Sequence, residues 1–267
     1  MSDNWLGIED KIVIVTGGNS GIGKHIVQGL RAAGAQVACF DLSVEDGVDA
    51  DTGVFNQKVD VTDPDGVEAA VAKVCDELGG VTTLVNNAGV NQPRLLVDVR
   101  GEAAQYELDT KSFDFMFSIN VKGAFLMAQA VARRLVKAGA GTIVNVTSEA
   151  GSEGSKGQSA YSASKGAMNG FTLSWAKEFG PLGIRVVGVA PGILEPTGLR
   201  NPAYNDALAY TRGTTVDDLS PDYAKTIPIG RPGTLDEIAD VVCYLVSDRS
   251  SYITGTTVTA TGGKSRG

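Results

Sequence analysis

Apolar runs of strand length recur along the chain at residues 11–16, 36–41, 54–60, 82–86, 141–148, 184–190 and 256–260, with segments of helical length between them. Val13-Ile14-Val15, Ile143-Val144-Asn145-Val146 and Val186-Val187-Gly188-Val189 are nearly continuous in apolar residues rather than alternating. That is the pattern of strands buried on both faces. The alternation predicts an α/β fold: seven parallel strands in one doubly wound sheet, flanked by helices on both faces, forming a single domain over 1–267. Segments 22–33, 64–78, 121–137 and 160–179 predict helices, and Asp63-Pro64 gives the second of these a start with Pro at the first helical position. Two long stretches, 90–111 and 192–233, show no such periodicity and follow strand carboxyl ends, where open sheets build their ligand crevice. Within the second, 201–222 is rich in Tyr and Thr and is expected to close over a ligand as a lid.

Composition narrows the function. At 267 residues and 43% hydrophobic, the chain is neither a small disulfide-stapled module nor a disordered polymer. Its 23 Lys and Arg against 31 Asp and Glu leave a net charge of -8, without the basic footprint that nucleic acid or an anionic membrane requires. Cys39, Cys75 and Cys243 lie in apolar stretches with no disulfide or zinc spacing. The only histidine, His25, has no carboxylate or cysteine at ligand spacing, so no metal site is expected and the ring is expected to be packed or solvated. Met1-Ser2-Asp3-Asn4-Trp5 has neither a basic nor an apolar leader region, and no apolar run reaches membrane-spanning length; a soluble cytoplasmic protein is expected.

Chemistry begins at Thr16-Gly17-Gly18-Asn19-Ser20-Gly21-Ile22-Gly23, which follows the first strand and opens the first helix. Glycine at 17, 21 and 23 allows a tight turn and close approach of phosphate to backbone, while a helix N-terminus offers free N–H groups and a positive dipole end. Asp41, eighteen positions beyond Gly23 at the end of the second strand, can accept the two adenosine ribose hydroxyls and repel a 2'-phosphate. Gly18, Asn19, Leu42 and Ser43 supply no cation for such a phosphate, so NAD is expected rather than NADP. Asp60, before Val61, is placed to receive the adenine amino group, or else is an ordinary turn former.

Tyr161-Ser162-Ala163-Ser164-Lys165 sets a phenol and an ammonium one turn apart on one helix face. A phenol titrates near pH ~10, so it becomes a useful base near neutrality only if a cation stabilises the phenolate. Ser148, thirteen positions before Tyr161 at the end of a buried strand, can hold a substrate oxygen beside it. With Asn86-Asn87-Ala88-Gly89, Asn120 in Ser118-Ile119-Asn120-Val121, and Pro191-Gly192, these motifs closely resemble the classical short-chain dehydrogenase/reductase family, from about Lys11 to Gly263. The resemblance implies a Rossmann-type fold with Tyr161 as general acid/base, Ser148 holding the substrate oxygen, and Lys165 lowering the phenol pKa and binding the nicotinamide ribose. It gives Asn120 a water of the proton relay, Asn87, Ala88 and Gly89 the adenosine side, Pro191, Gly192 and Ile193 the nicotinamide, and Thr197 its carboxamide. It further implies a homotetramer paired through the two long helices. From the residues alone, Asn120 is equally an Asn bonding its own backbone within a helix.

Asn91, Gln92, Arg94, Glu149, Ser152, Glu153, Lys156, Gln158 and Glu195 offer a substrate many polar groups, which suits a polyhydroxylated ligand better than an acyl chain or steroid. Arg94, Lys156, Arg200 and Arg212 are candidates for a phosphate dianion, and each is otherwise a solvated loop side chain. Residues 93–98, 148–165, 186–200 and the ending 262–267 resemble those family members that act on a phosphorylated polyol. That implies NAD-linked interconversion of a polyol phosphate and a ketose phosphate, D-sorbitol 6-phosphate and D-fructose 6-phosphate. The alternatives are a dehydrogenase of an unphosphorylated polyol or sugar, a 3-oxoacyl-thioester reductase, and a nucleotide-sensing binding protein without chemistry. The basic end Lys264-Ser265-Arg266 is a frayed terminus, or else a phosphate contact, in its own or a neighbouring subunit.

Overall fold

The computed structural model describes residues 5–198, 200–219 and 223–264. Seven strands run parallel: β1 (Ile12–Thr16), β2 (Gln36–Asp41), β4 (Phe55–Lys58), β5 (Thr83–Asn86), β6 (Gly141–Val146), β7 (Ile184–Pro191) and β8 (Thr256–Ala260). An eighth, β3 (Gly47–Val48), pairs antiparallel with β4 at one edge, giving the order β3-β4-β2-β1-β5-β6-β7-β8. The expectation of seven strands is corrected by this edge. Two residues are too few for a hydrophobic pattern, and Val48 is 65% exposed, so nothing in the periodicity marks the pair. Chain order reverses between β1 and β5, and the ligand crevice of such a sheet opens at their carboxyl ends.

The continuous apolar strands divide their side chains between two cores by the two-residue period of the pleat. Ile12 and Ile14 face α2 (Pro64–Leu78), α4 (Ala124–Ala138) and α6 (Ser159–Phe179), meeting Val71, Met127, Leu135 and Ala176. Val13 and Val15 face the other way, onto Ile26 and Leu30 of α1 (Gly21–Ala32) and Ile238 and Val242 of α9 (Leu235–Val246). α9 is opened by a capping box between Thr234 and Glu237. His25 of α1 lies 2.6 Å from Asp236 of α9 through Nδ1. The sequence offers His25 no carboxylate at ligand spacing; this one is 211 positions away and only the fold supplies it.

Helix boundaries match the sequence except at the ligand side. The segment expected at 121–137 begins earlier, with α3 (Thr110–Phe117) capped by Asp109, and continues through a π-helical turn, Ser118–Gly123, into α4. The resulting helix, Thr110–Ala138, has 29 residues and enough apolar character to cross a membrane by length and composition, which the expectation on apolar runs missed. Met116, Met127, Val131 and Leu135 are buried inside the molecule, and Arg134 pairs with Glu68 of α2, as in a core helix of an α/β sheet. The stretch 192–233 is likewise not wholly irregular. It contains α7 (Pro202–Arg212), with Pro at its start and an Asn201 cap on the Tyr204 N–H, and the short α8 (Tyr223–Thr226); residues 220–222 lie outside those described. A fifth element, α5 (Ala150–Glu153), is a single turn after β6.

Candidate active site

The glycine loop is held by the end of β5. Asn87 donates its side-chain amide to the Thr16 and Gly17 carbonyls at 3.0 and 3.1 Å, and the Thr16 hydroxyl accepts from the Asn87 and Ala88 N–H groups at 3.0 Å each. Gly17 and Gly21 have φ of 63° and 50°, the left-handed region that glycine enters without strain. A Cβ at Gly23 would lie 2.0 Å from the Gly17 carbonyl oxygen, so this glycine is a packing requirement of the turn. Ser20, the N-cap of α1, makes no side-chain capping bond, which leaves the first N–H groups of the helix open to an anion.

A cleft of about 570 Å³ runs from this loop to the catalytic end. Of the residues expected to bind cofactor, Gly17, Ser20, Gly21, Ile22, Asp41 and Asp60 line it on the adenosine side. Val61, Asn87, Ala88, Gly89, Tyr161, Lys165 and Thr197 line the rest of it, while Gly23 packs behind the loop against Gly17 and Asn87. Asn19 is adjacent: its N–H donates to Asp41 at 3.1 Å and its amide to Ser43 at 3.0 Å. The structure does not bring Pro191, Gly192 or Ile193 into this lining. Pro191 accepts from the Glu149 N–H, Gly192 donates to Ala260, and Ile193 accepts from Gly233, which ties the turn after β7 to its neighbours. Asp60 forms a turn, one oxygen accepting from the Thr62 N–H and hydroxyl at 2.8 Å each, and the residue lines the cleft. An uncapped helix N-terminus, a glycine cradle and a carboxylate at the β2 end together fit a dinucleotide.

Tyr161 and Lys165 point the same way from the first turns of α6. The ammonium is 5.9 Å from the phenol ring centroid and donates to the Val146 carbonyl at 2.8 Å. Burial pushes the Tyr161 phenol up to about 12, a hydrogen bond with Ser148 pulls it back, and Tyr204 and Glu149 push it further up. Burial likewise brings Lys165 down to about 8. Lys165 therefore stays largely protonated at neutral pH while the phenol, in the protein alone, is a proton donor. Desolvation is the largest influence on the phenol, and the hydrogen bond with Ser148 is the one that lowers it. Asn120 is 1% exposed within the π turn; its amide donates to Val90 O and Ser164 Oγ and accepts from the Val90 N–H, at 2.8–3.0 Å. Both of its N–H groups are thus committed across the fold, not to its own helix, and a water could meet only its remaining acceptor positions.

Beyond Ser148 the expected substrate residues divide. Gln158, 7% exposed, donates to the Tyr204 hydroxyl at 2.9 Å, and Asn91 donates to the same oxygen at 3.3 Å. Glu149 Oε2, Asn91 Oδ1 and Gln92 Oε1 are buried acceptors with no donor among the described residues. Of the expected phosphate cations, Arg94 binds the Pro93 carbonyl and lies over the Tyr106 ring, Lys156 donates to the Arg212 carbonyl at 3.1 Å, and Arg200 and Arg212 both act on Tyr204. Glu153, expected at the substrate, is exposed. Lys264 is paired with Glu149 at 2.7 Å, and Ser265 and Arg266 lie outside the described residues. Sequence reasoning missed Tyr204, and also Phe115, Ser118 and Ile119, which line the cleft from α3 and the π turn. No spacing rule links Tyr204 to partners 46 and 113 positions away.

The chain matches the family model for short chain dehydrogenases over residues 11–207. It is 52% identical to a sorbitol-6-phosphate 2-dehydrogenase of Klebsiella pneumoniae over 266 residues, covering 99% of this chain and 100% of that protein. It is 36% identical to a 3-oxoacyl-[acyl-carrier-protein] reductase of Thermotoga maritima, covering 96% and 98% of the two chains. The ligand-free aldohexose dehydrogenase of Thermoplasma acidophilum superposes with a TM-score of 0.80 at 28% identity, covering 97% and 96%. Such membership implies a nicotinamide cofactor. The chain belongs to the short-chain dehydrogenase family and is an oxidoreductase acting on CH–OH groups.

Proposed function

We propose that this protein is a cytoplasmic, NAD-dependent dehydrogenase that interconverts a polyol phosphate and a ketose phosphate, D-sorbitol 6-phosphate and D-fructose 6-phosphate. The end-to-end identity of 52% to a protein of that activity carries the reading. The site supports it: three buried acceptors without donors, on Glu149, Asn91 and Gln92, belong to residues around Tyr161 and Tyr204. An unpaired buried acceptor costs about 1–3 kcal/mol, which a ligand rich in hydroxyl donors relieves and an acyl chain does not. NAD is favoured because Asp41, fixed by Asn19 and Ser43, occupies the ribose end, and Lys165, at the opposite end, is the only cation lining the cleft among the described residues.

In this reading the open N–H groups of α1 hold the pyrophosphate, Asp41 the ribose hydroxyls and Lys165 the nicotinamide ribose. The bound dinucleotide supplies the hydride acceptor and a positive ring charge. Ser148 holds the substrate oxygen, and Tyr161 takes the hydroxyl proton during oxidation or returns it during reduction. Lys165 keeps positive charge beside the phenol, and Asn120 fixes the Val90 backbone against Ser164. Since the phenol must ionise to accept a proton, oxidation accelerates with rising pH and reduction with falling pH. A groove between α4 and α6, lined by Phe125, Val136 and Trp175 together with Arg133, Lys137 and Glu178, supports pairing of these helices in a homotetramer.

An NAD-reduction assay comparing sorbitol 6-phosphate, sorbitol, mannitol and mannitol phosphate tests the substrate, with NADP run alongside. We expect kcat/KM for sorbitol 6-phosphate to exceed that for either free polyol by at least about a hundredfold, in keeping with loss of charge-assisted contacts to phosphate. We expect NADP to be used about a hundredfold less well. A preference for a free polyol would refute the phosphorylated substrate, and equal use of NADP would refute the role of Asp41.

A further inference from the structure

The segment after β8 returns to the catalytic loop. After β8 it turns through Gly262 and Gly263, at φ 63° and 85°. A Cβ at Gly262 would lie 2.7 Å from Ile227 Cγ2, and one at Gly263 would lie 3.2 Å from Pro228. Conformation and space therefore both require glycine at this turn. Hydrogen bonds from Lys264 to Thr261 (3.2 Å) and from Ile229 to Gly262 (3.1 Å) close it and bring the Lys264 ammonium to 2.7 Å from Glu149 Oε1. The two side chains are 29% and 14% exposed, so the pair is much less screened than a surface one.

Glu149 directly follows Ser148, and its charge opposes ionisation of Tyr161. The groups acting on the phenol are Lys165 of its own helix, Ser148 and Glu149 after β6, and Tyr204 of α7, itself near Arg200 and Arg212. Glu149 is the one carboxylate among them. We propose that Lys264 is a positioning residue of this enzyme: by pairing with Glu149 it removes most of the negative charge that would otherwise stand against proton acceptance by Tyr161. The proposal rests on Tyr161 being the acid–base group. It gives the Gly262-Gly263-Lys264 ending a use that a frayed terminus does not have.

The test is the pH profile of kcat/KM for oxidation of sorbitol 6-phosphate, or of whichever polyol the assay above selects. It is run on the wild type, Lys264→Met, Lys264→Arg and the double variant Glu149→Gln/Lys264→Met, with NAD affinity reporting an intact fold. Lys264→Met should move the acid limb up by about one pH unit, a loss of about tenfold near neutrality, by exposing a nearby charge. Lys264→Arg should keep the wild-type profile, and the double variant should bring the acid limb back to its wild-type pH or below it, whatever the height of its plateau. A Lys264→Met profile superimposable on wild type, or an upward shift of the acid limb that the double variant leaves in place, would overturn the proposal. Turnover retained by Tyr161→Phe would instead refute the acid–base assignment beneath it.

Discussion

Replacing Tyr161 by Phe is expected to cut turnover by about 10²–10⁴-fold, the range associated with losing a positioned acid or base, while NAD affinity stays within about twofold. The phenol oxygen is the only atom removed. Its hydrogen bond with Ser148 disappears, but the ring, its packing near the Lys165 ammonium and the ammonium's own bond to Val146 all remain. The loss should fall on kcat and kcat/KM alike, because proton transfer is made only in the transition state. Steady-state kinetics paired with a fluorescence titration of NAD separates the two quantities. Turnover within tenfold of wild type would show that some other group carries the proton.

Gly23→Ala should be the most damaging small substitution in the cofactor loop. The added methyl would sit 2.0 Å from the Gly17 carbonyl oxygen and 2.5 Å from the Asn87 amide nitrogen, neither of which is the free end of a flexible chain. Asn87 is anchored to Thr16 and Gly17, so it cannot retreat without releasing the loop from β5. Overpacking of this kind typically costs about 1–3 kcal/mol and occasionally more. Because the strain lies in the turn that presents the N–H groups of α1, NAD affinity should fall by at least about a hundredfold, since the phosphate contacts depend on that geometry. Thermal unfolding with and without NAD checks both effects: a lower Tm, and a smaller rise on adding NAD. Wild-type behaviour in both would contradict the account of the loop.

Much of this was readable from residue order. The buried strands announce themselves because Val13-Ile14-Val15 and Val186-Val187-Gly188-Val189 leave no polar face, and the glycine loop lies where the first such strand ends. Tyr161, Lys165 and Ser148 follow from helical spacing and a strand end. What stayed hidden depends on contacts between distant segments. Edge strand β3 is too short to carry a period, and the π turn at Ser118–Gly123 has the composition of the helices on either side. Tyr204, Lys264 and Asp236 acquire meaning only from partners that the fold delivers. Pro191-Gly192-Ile193 fits a motif, and its backbone bonds to Glu149, Ala260 and Gly233 are again contacts that only the fold delivers.

Electrostatics adds a point that residue order alone could not supply. Desolvation raises the phenol and lowers the ammonium, so the protein by itself favours the acid form of Tyr161. In the proposed reading, charge brought in with the dinucleotide and the Glu149–Lys264 pair beside Ser148 then tune how readily Tyr161 takes or gives a proton.

The most direct test of the whole assignment follows one hydrogen atom. Sorbitol 6-phosphate deuterated at C2 is incubated with the enzyme and NAD, and both products are analysed by mass. The account predicts that the label appears in the reduced nicotinamide and that the sugar product is unlabelled fructose 6-phosphate. Deuterium released to solvent, or an aldose as product, would contradict it.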